Sequence, residues 1–586
     1  MTKKLLLVFL FISALITDSN AQISFTENAI ALGVTSNYGI EQSTSGAFLL
    51  GGGISFCDFD GDGWDDLTFS TASGLPIKLF KNNSGTFTET SLTGITLDTN
   101  ETRQIIWVDY DNDADKDLFI ATFDGSNKLY QNNGSFSFTD VTNSAGFPSA
   151  AYSTVGSSWG DYNNDGFLDV FLSSWDNDAS STDANKLYKN NGDGTFTDVS
   201  SIAGIDNDSH LSFCAAFFDY DNDGWQDIYI ANDRPYNKNI MYHNNGDGTF
   251  TDTSVSTGTD VELDAMSTTI SDYDNDGDLD IYITNTNAGN AFLQNNGNGT
   301  FTDIASTNGT LMETIAWGAV FLDADNDMDS DLYVSGMLTT TSPLPSAFYE
   351  NNGSGSFAIP SSAGFQNDDA VSFSNAIGDI DNDGYPDISV LNFAPRNNFL
   401  FKNNNSTNNY LKVKLQGTTS NRDGVGSWIQ VYNNGVPQNR YTLAGEGYTS
   451  QNSNYEFFGL GSETVVDMLK VTWLSGTVDV LYNVAVNQSM TIEEGSSLEI
   501  DEFDFSNLIR VYPNPSSNGF FQLNSSQLDR SKDYEITVFD PLGKMVIKKK
   551  INFVNDFLDL EDYTKGIYFL QMESNNQSIV KKLIYL

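Results

Sequence analysis

Seven short stretches of this chain concentrate oxygen ligands at a fixed spacing. The first, DFDGDGWDD, sets carboxylates at positions 1, 3, 5 and 9: Asp58, Asp60, Asp62 and Asp66. The same positions hold Asp109, Asp111, Asp113 and Asp117, then Asp161, Asn163, Asp165 and Asp169. They hold Asp219, Asp221, Asp223 and Asp227, then Asp272, Asp274, Asp276 and Asp280. The last two stretches give Asp323, Asp325, Asp327 and Asp331, then Asp379, Asp381, Asp383 and Asp387. Position 7 can add a backbone carbonyl from Trp64, Phe167, Trp225 or Tyr385, or an acidic residue at Asp115, Asp278 or Asp329. Hard oxygen donors so spaced suit Ca2+, whereas Mg2+ demands a stricter octahedron with retained waters. Unit charges about 4 Å apart interact by roughly 4 kcal/mol at an effective dielectric of 20, so converging acids stay ionised only around a cation. The expectation is calcium in these loops, up to seven ions in all. Position 6 is Gly in five loops and Ala114 or Met328 in the other two. An EF-hand would need an acid at position 12; here that position is Phe69, Ile120, Leu172, Ile230, Ile283, Val334 or Val390.

The elements that must carry these loops are strands. The loops recur at steps of 51, 52, 58, 53, 51 and 56 residues, a period suited to one propeller blade. Each repeat runs in the same order. Apolar stretches such as Ile105–Val108 and Leu118–Ala121 flank the loop. A third stretch, as in Lys186–Lys189, an Asn-Gly-Asp-Gly turn and a fourth stretch, Thr195–Val199, follow. Short β-branched and aromatic runs between Gly/Asn/Asp turns predict a four-stranded antiparallel sheet per repeat. The fourth strand carries Phe87, Phe138, Phe196, Phe250, Phe301 and, more weakly, Phe357, and has no counterpart after the seventh loop. The matching segment Ser24–Asn28 lies near the N-terminus, which predicts that it completes the last blade and closes the ring.

On these residues the repeats resemble the FG-GAP/VCBS repeats of integrin-type propellers, from about Ile23 to Asn408. The resemblance implies metal loops that stabilise blades and do not catalyse. The next segment carries Ser420–Gly426, Gly445–Gln451, Phe458–Gly461 and Val471–Gly476, and is similar to the ASPIC/UnbV domain that follows such propellers in the cartilage acidic protein family. The end of the chain, with Val511-Tyr512-Pro513-Asn514-Pro515, Gly543-Lys544 and Lys565–Phe569, resembles the C-terminal sorting domain of the type IX secretion system. That resemblance implies passage through the type IX machinery and a Gram-negative outer-membrane route. The expected fold is all-β: a seven-bladed β-propeller followed by two small β-rich domains. The expected boundaries are a signal peptide at 1–21, propeller at 22–408, ASPIC/UnbV-like domain at 409–494, linker at 495–508 and sorting domain at 509–586.

Composition supports an exported, cation-bearing chain. Of 586 residues, 78 are acidic and 28 basic, a net charge of −50, which argues against nucleic-acid and anionic-lipid partners. The 78 residues from position 509 hold 10 of the 28 bases and 9 acids, so nearly all the excess lies upstream. Lys3 and Lys4 precede an apolar run, Leu5–Ile16, too short to span a bilayer, and Ser19-Asn20-Ala21 offers a cleavage site. No transmembrane segment is expected in the mature chain. Two Cys and two His exclude a disulfide scaffold and a Cys/His zinc module; Cys57 and Cys214 read as buried free thiols.

No catalytic constellation is expected. Gly156–Gly160 matches the nucleophile-elbow string but lies in a strand before an acidic loop, not at a strand-to-helix turn. His243 occupies a strand position that is Lys189 in another repeat and reads as a surface residue. Antiparallel order puts the acidic loops on one face and the loops between second and third strands on the other. In integrin-like propellers that other face binds ligands. Its candidates here are Trp175, Arg234, Tyr236 and Arg396. The function expected is a secreted binding or adhesion module for an extracellular glycan or protein. A polysaccharide lyase or hydrolase, and a structural surface-layer component, are the alternatives.

Overall fold

The computed structural model describes residues 23–497 and 510–586, apart from 41–49, 96–98, 135, 176–182, 206–207, 209, 338–345, 366–367, 525–533, 542, 552–556 and 575–576. The expected signal peptide and most of the expected linker lie outside the described residues. The regular structure is almost entirely strand, with four one-turn helices among the described residues.

The repeats form seven separate four-stranded sheets. In the second sheet, Thr102–Val108, Asp117–Thr122, Lys128–Asn132 and Phe138–Asp140 follow one another, antiparallel throughout. The first two are buried along their whole length, so both faces are covered, while Lys128 and Gln131 mark the more open third strand. The sheet that begins with Ser372–Gly378 takes its fourth strand from the other end of the chain: Phe25–Glu27 pairs with Phe399–Asn403, Phe25 opposite Asn403. The first strands touch one another in cyclic order. Ile54–Cys57 is followed by Thr102–Val108, Thr154–Gly160, Ser212–Phe218, Thr269–Ser271, Ile315–Leu322 and Ser372–Gly378, which returns to Ile54–Cys57. This is a propeller with the first strands around its axis. Aromatic layers between neighbouring sheets form the core, as where Trp107 stacks on Phe59 at 5.1 Å and meets Phe138 edge-on.

Residues after the ring build a two-sheet module with its own core of Leu411, Val413, Ile429, Phe458, Leu469 and Trp473. One sheet orders Glu456–Gly461, Asn409–Gln416 and Gln488–Glu493; the other orders Val436–Tyr441, Trp428–Asn433, Val465–Thr472 and Val478–Ala485. Ring and module belong to one compact unit that ends at Ser497.

Between the module's sheets the chain makes an excursion that the sequence did not announce. Residues 442–456 enter the ring along its axis. Trp159 N donates to Ala444 O at 2.8 Å, Gly447 N to Thr268 O at 3.1 Å, Gln451 N to Ile54 O at 2.9 Å and Ser453 N to Ile377 O at 2.9 Å. The Gln451 amide bonds both the N–H and the carbonyl of Trp107. Tyr448, at the tip, is fully buried, its ring 5.0 Å from Trp317 and 5.9 Å from Phe213. Inner strands of all seven sheets thus meet this segment. The approach is close enough to dictate Gly445: at φ +89° a Cβ there would sit 2.3 Å from Ser157 O. Cys57 and Cys214 are buried free thiols, as expected, and both face the inserted segment, Cys57 Sγ standing 3.5 Å from Asn454 Oδ1.

The C-terminal unit, from Leu498, is a two-sheet β structure. Its core includes Phe521, Ile536, Val538, Leu558, Leu570 and Leu583.

Candidate metal centres

Each acidic loop joins the first strand of a sheet to the second and folds around its own first residue. In all seven, Oδ1 of position 1 accepts the N–H of position 5 and Oδ2 accepts that of position 6; for Asp58 both distances are 2.9 Å. The chain closes this turn only with left-handed backbone at position 6, which is why Gly stands in five loops and Ala114 and Met328 adopt φ +78° and +86°. Position 4 is also left-handed, at Asn112, Asn164, Asn222, Asn275, Asn326 and Asn382. Asn tolerates that conformation, and its side chain links neighbours: Asn112 donates to Gly166 O, Asn164 to Gly224 O and Asn382 to Gly63 O. The position-7 N–H closes the turn onto the position-5 carboxylate in every loop.

This folding brings carboxylates from positions 1, 3 and 5 together. One oxygen from each of Asp58, Asp60 and Asp62 lies within 4.8 Å of the others, as for Asp219, Asp221 and Asp223, and for Asp272, Asp274 and Asp276; Asp109 and Asp111 gather with Asp117. The arrangement fits a cation. Buried oxygens of Asp60, Asp111, Asp115 and Asp381 have no hydrogen-bond partner, and the Asp60 side chain is only 8% exposed. Burial, then neighbouring carboxylates, pushes Asp109 up to about 7 and Asp115 up to about 6. Acids that resist ionisation this strongly gain most from a hard dication.

Position 9 has a further task that spacing did not reveal. Asp66, Asp117, Asp169, Asp227, Asp280, Asp331 and Asp387 each accept, through Oδ1, the N–H of an asparagine at the end of the third strand: Asn82, Asn132, Asn190, Asn244, Asn295, Asn351 and Asn403. In six loops the other oxygen takes the N–H of position 2. These carboxylates strut loop to strand whether or not they also meet a cation. The asparagine in turn reaches the preceding sheet: Asn82 donates to Ile380 O, Asn190 to Tyr110 O and Asn244 to Tyr162 O. Its signal was present in the recurrent Asn-Asn before each turn.

The module after the ring sits on this loop face. Lys412 Nζ lies 2.7 Å from Asp379 Oδ2 and 2.9 Å from Asn382 Oδ1, almost fully buried. Asn439 donates to Asp272 Oδ2 at 2.8 Å, and Asp109 N donates to Asp423 at 3.0 Å. A partly open cavity of about 80 Å³ remains between module and ring, lined by Arg440, Glu446, Glu456, Asn375 and Asn452. Burial pushes Glu446 up to about 8 and Glu456 up to about 7.

Of the four candidates on the opposite face, the structure removes one and leaves three outward. Trp175 is 6% exposed, stacks on Phe213 at 5.8 Å and donates its indole N–H to Asp233, so its ring is spent on packing and cannot stack on a ligand. Tyr236 is 75% exposed. Arg234 lies 3.1 Å from Asp233, and one terminal nitrogen of Arg396 donates to both carboxylate oxygens of Asp369 at the surface. The Gly156–Gly160 string lies inside a buried strand, where Ser157 Oγ donates to Gln104. His243 is not a free surface residue: its Nδ1 is 3.2 Å from Asp227 and 3.6 Å from Asp221, and contact with Asp227 pushes it up to about 9.

Comparison with known proteins matches the FG-GAP-like repeat family at residues 58–120, 109–172, 173–230, 219–283 and 272–334. The ASPIC and UnbV family matches residues 417–499, and the secretion system C-terminal sorting domain matches residues 510–585. No curated protein matches. Solved structures that align include a BP39L lectin from Burkholderia pseudomallei, 9% identical over 58% of this chain and 93% of that one, with a TM-score of 0.39. BBS1N in complex with ARL6DN aligns at 12% identity over 63% and 96%, TM-score 0.38, and the exotype rhamnogalacturonan lyase YesX at 10% over 78% and 91%, TM-score 0.31. Among the described residues no helix is long and apolar enough to cross a membrane.

Proposed function

We propose that this chain, built of FG-GAP-like repeats, an ASPIC and UnbV domain and a type IX secretion sorting domain, is a calcium-stabilised propeller that binds an extracellular glycan or protein. The sorting domain marks it for export to the cell surface or extracellular space, where calcium is plentiful. Asp58, Asp60 and Asp62, and their counterparts in the other six loops, are the residues that would hold the ions. Bound calcium would supply positive charge to clustered carboxylates and tie each loop to its sheet. The observation that carries the metal reading is the set of buried, unpartnered carboxylate oxygens converging in these loops. The binding reading rests on occupancy of faces. The second domain takes the metal-loop face through Lys412, Asp423 and Asn439, so partners are left the opposite rim, where Tyr236, Arg234 and Arg396 stand.

Thermal unfolding of the mature protein with calcium and with a chelator tests the metal role; an unchanged Tm refutes it. A glycan and protein array, probed with and without calcium, tests the binding role. Calcium-dependent capture on the array, lost in a Tyr236→Ala, Arg396→Ala variant of unaltered Tm, supports it. Release of cleaved products from a polysaccharide panel overturns it in favour of an enzyme.

A further inference from the structure

The residue one position before the strut asparagine, near the end of the third strand, meets its sheet's own acidic loop in six of the seven sheets. The seven are Lys81, Gln131, Lys189, His243, Gln294, Glu350 and Lys402. Lys81 pairs with Asp60 and lies 2.9 Å from Asp62. Lys189 lies 3.2 Å from Asp165, and Lys402 pairs with Asp381. Gln131 donates to Asp111 at 2.7 Å and Gln294 to Asp274 at 2.9 Å. His243 approaches Asp221 and Asp227, and Glu350 holds the equivalent position in the sixth sheet. The position is one; the charge presented there is positive, neutral or negative.

We propose that this residue grades the seven loops in cation affinity. The inference rests on the metal reading above. An ammonium beside the position-3 or position-5 carboxylate neutralises the empty loop and repels a dication that enters it. An amide orients the same carboxylate without adding charge. Loops 1, 3 and 7 are therefore the weak sites, and loops 2 and 5 the strong ones. Loop 7 is weakest of all, because Lys412 of the second domain adds another ammonium on Asp379. The lysines are about a third exposed, so salt screens part of the effect and the contrast sharpens at low ionic strength. A shell that fills in two stages follows: the strong loops hold the ring together, and the weak ones respond to the calcium level outside the cell.

The test is a reciprocal swap in the mature protein, Lys81→Gln and Gln294→Lys, with calcium binding followed by titration calorimetry. Terbium gives a local readout for loop 1, since Trp64 stands within it and can sensitise the ion; Trp64→Phe identifies that component. Two affinity classes in the wild type are expected. Lys81→Gln should tighten the Trp64-sensitised site tenfold or more, and Gln294→Lys should move one site from the strong class to the weak. A single class of sites, unmoved by either swap, overturns the grading while leaving calcium binding intact. No uptake of calcium or terbium by the wild type overturns the metal reading itself, and the grading with it.

Discussion

Tyr448 offers the sharpest test of the axial insertion. It is fully buried at the tip of residues 442–456, against Trp317 and Phe213, and its hydroxyl donates to Leu50 O at 2.5 Å. Truncating a buried aromatic to Ala costs about 3–5 kcal/mol, and the hydrogen bond adds about 1 kcal/mol. Tyr448→Ala should therefore destabilise the ring unit by roughly 4–6 kcal/mol. Unfolding entropy of about 2.1 cal/mol/K per residue, over a unit that ends at Ser497, amounts to roughly 1 kcal/mol/K, so Tm should fall by about 4–6 °C. Tyr448→Phe keeps the ring and should lose about 1 °C. The chain supplies its own reporter. Its two cysteines both face the insertion, and burial holds both thiols protonated, Cys214 up to about 12. A thiol reagent should leave the wild type unlabelled and react with Tyr448→Ala at temperatures well below its Tm. Equal Tm values with equally silent thiols would mean that the segment does not hold the axis, and the reasoning from burial would fail.

Glu446 and Glu456 carry raised pKa values of about 8 and 7 in the folded state, so folding favours their protonated forms. Their contribution is full below the ordinary carboxylate range near 4.3 and is lost as pH rises through 7 to 8. In saturating calcium, urea unfolding from pH 5 to 9 should show stability falling with pH, and a Glu446→Gln, Glu456→Gln variant should show a flatter profile; parallel profiles refute the assignment. Ala114→Gly should raise stability by up to about 1 kcal/mol, because a side chain at φ +78° costs roughly 1–2 kcal/mol and the added unfolded-state freedom returns part of it. An unchanged or lower urea midpoint would contradict the strain argument.

The acidic loops and their strands were legible because both are local patterns. Spacing of two residues put Asp58, Asp60 and Asp62 on one turn, and the apolar runs on either side had nowhere to be but in a buried sheet. The pairing of Phe25–Glu27 with Phe399–Asn403 was legible too, since a repeat that lacks one strand must find it elsewhere. What no local pattern carries is which distant residues meet. Trp175 reads as a loop aromatic until Asp233 and Phe213 close over it. His243 reads as a surface residue until the hairpin turns it onto Asp227. The Gly445–Gln451 segment shows polar residues typical of an exposed loop, yet its hydrogen bonds reach strands as distant in the chain as Ile54–Cys57. Sequence determined the periodic ligands and the strands that bear them, because side-chain alternation and turn chemistry act within a few residues. Tertiary structure decided which carboxylates brace strands, which cations oppose them and what fills the axis, because those follow from chain segments meeting in space, and one strand's pattern is compatible with many partners.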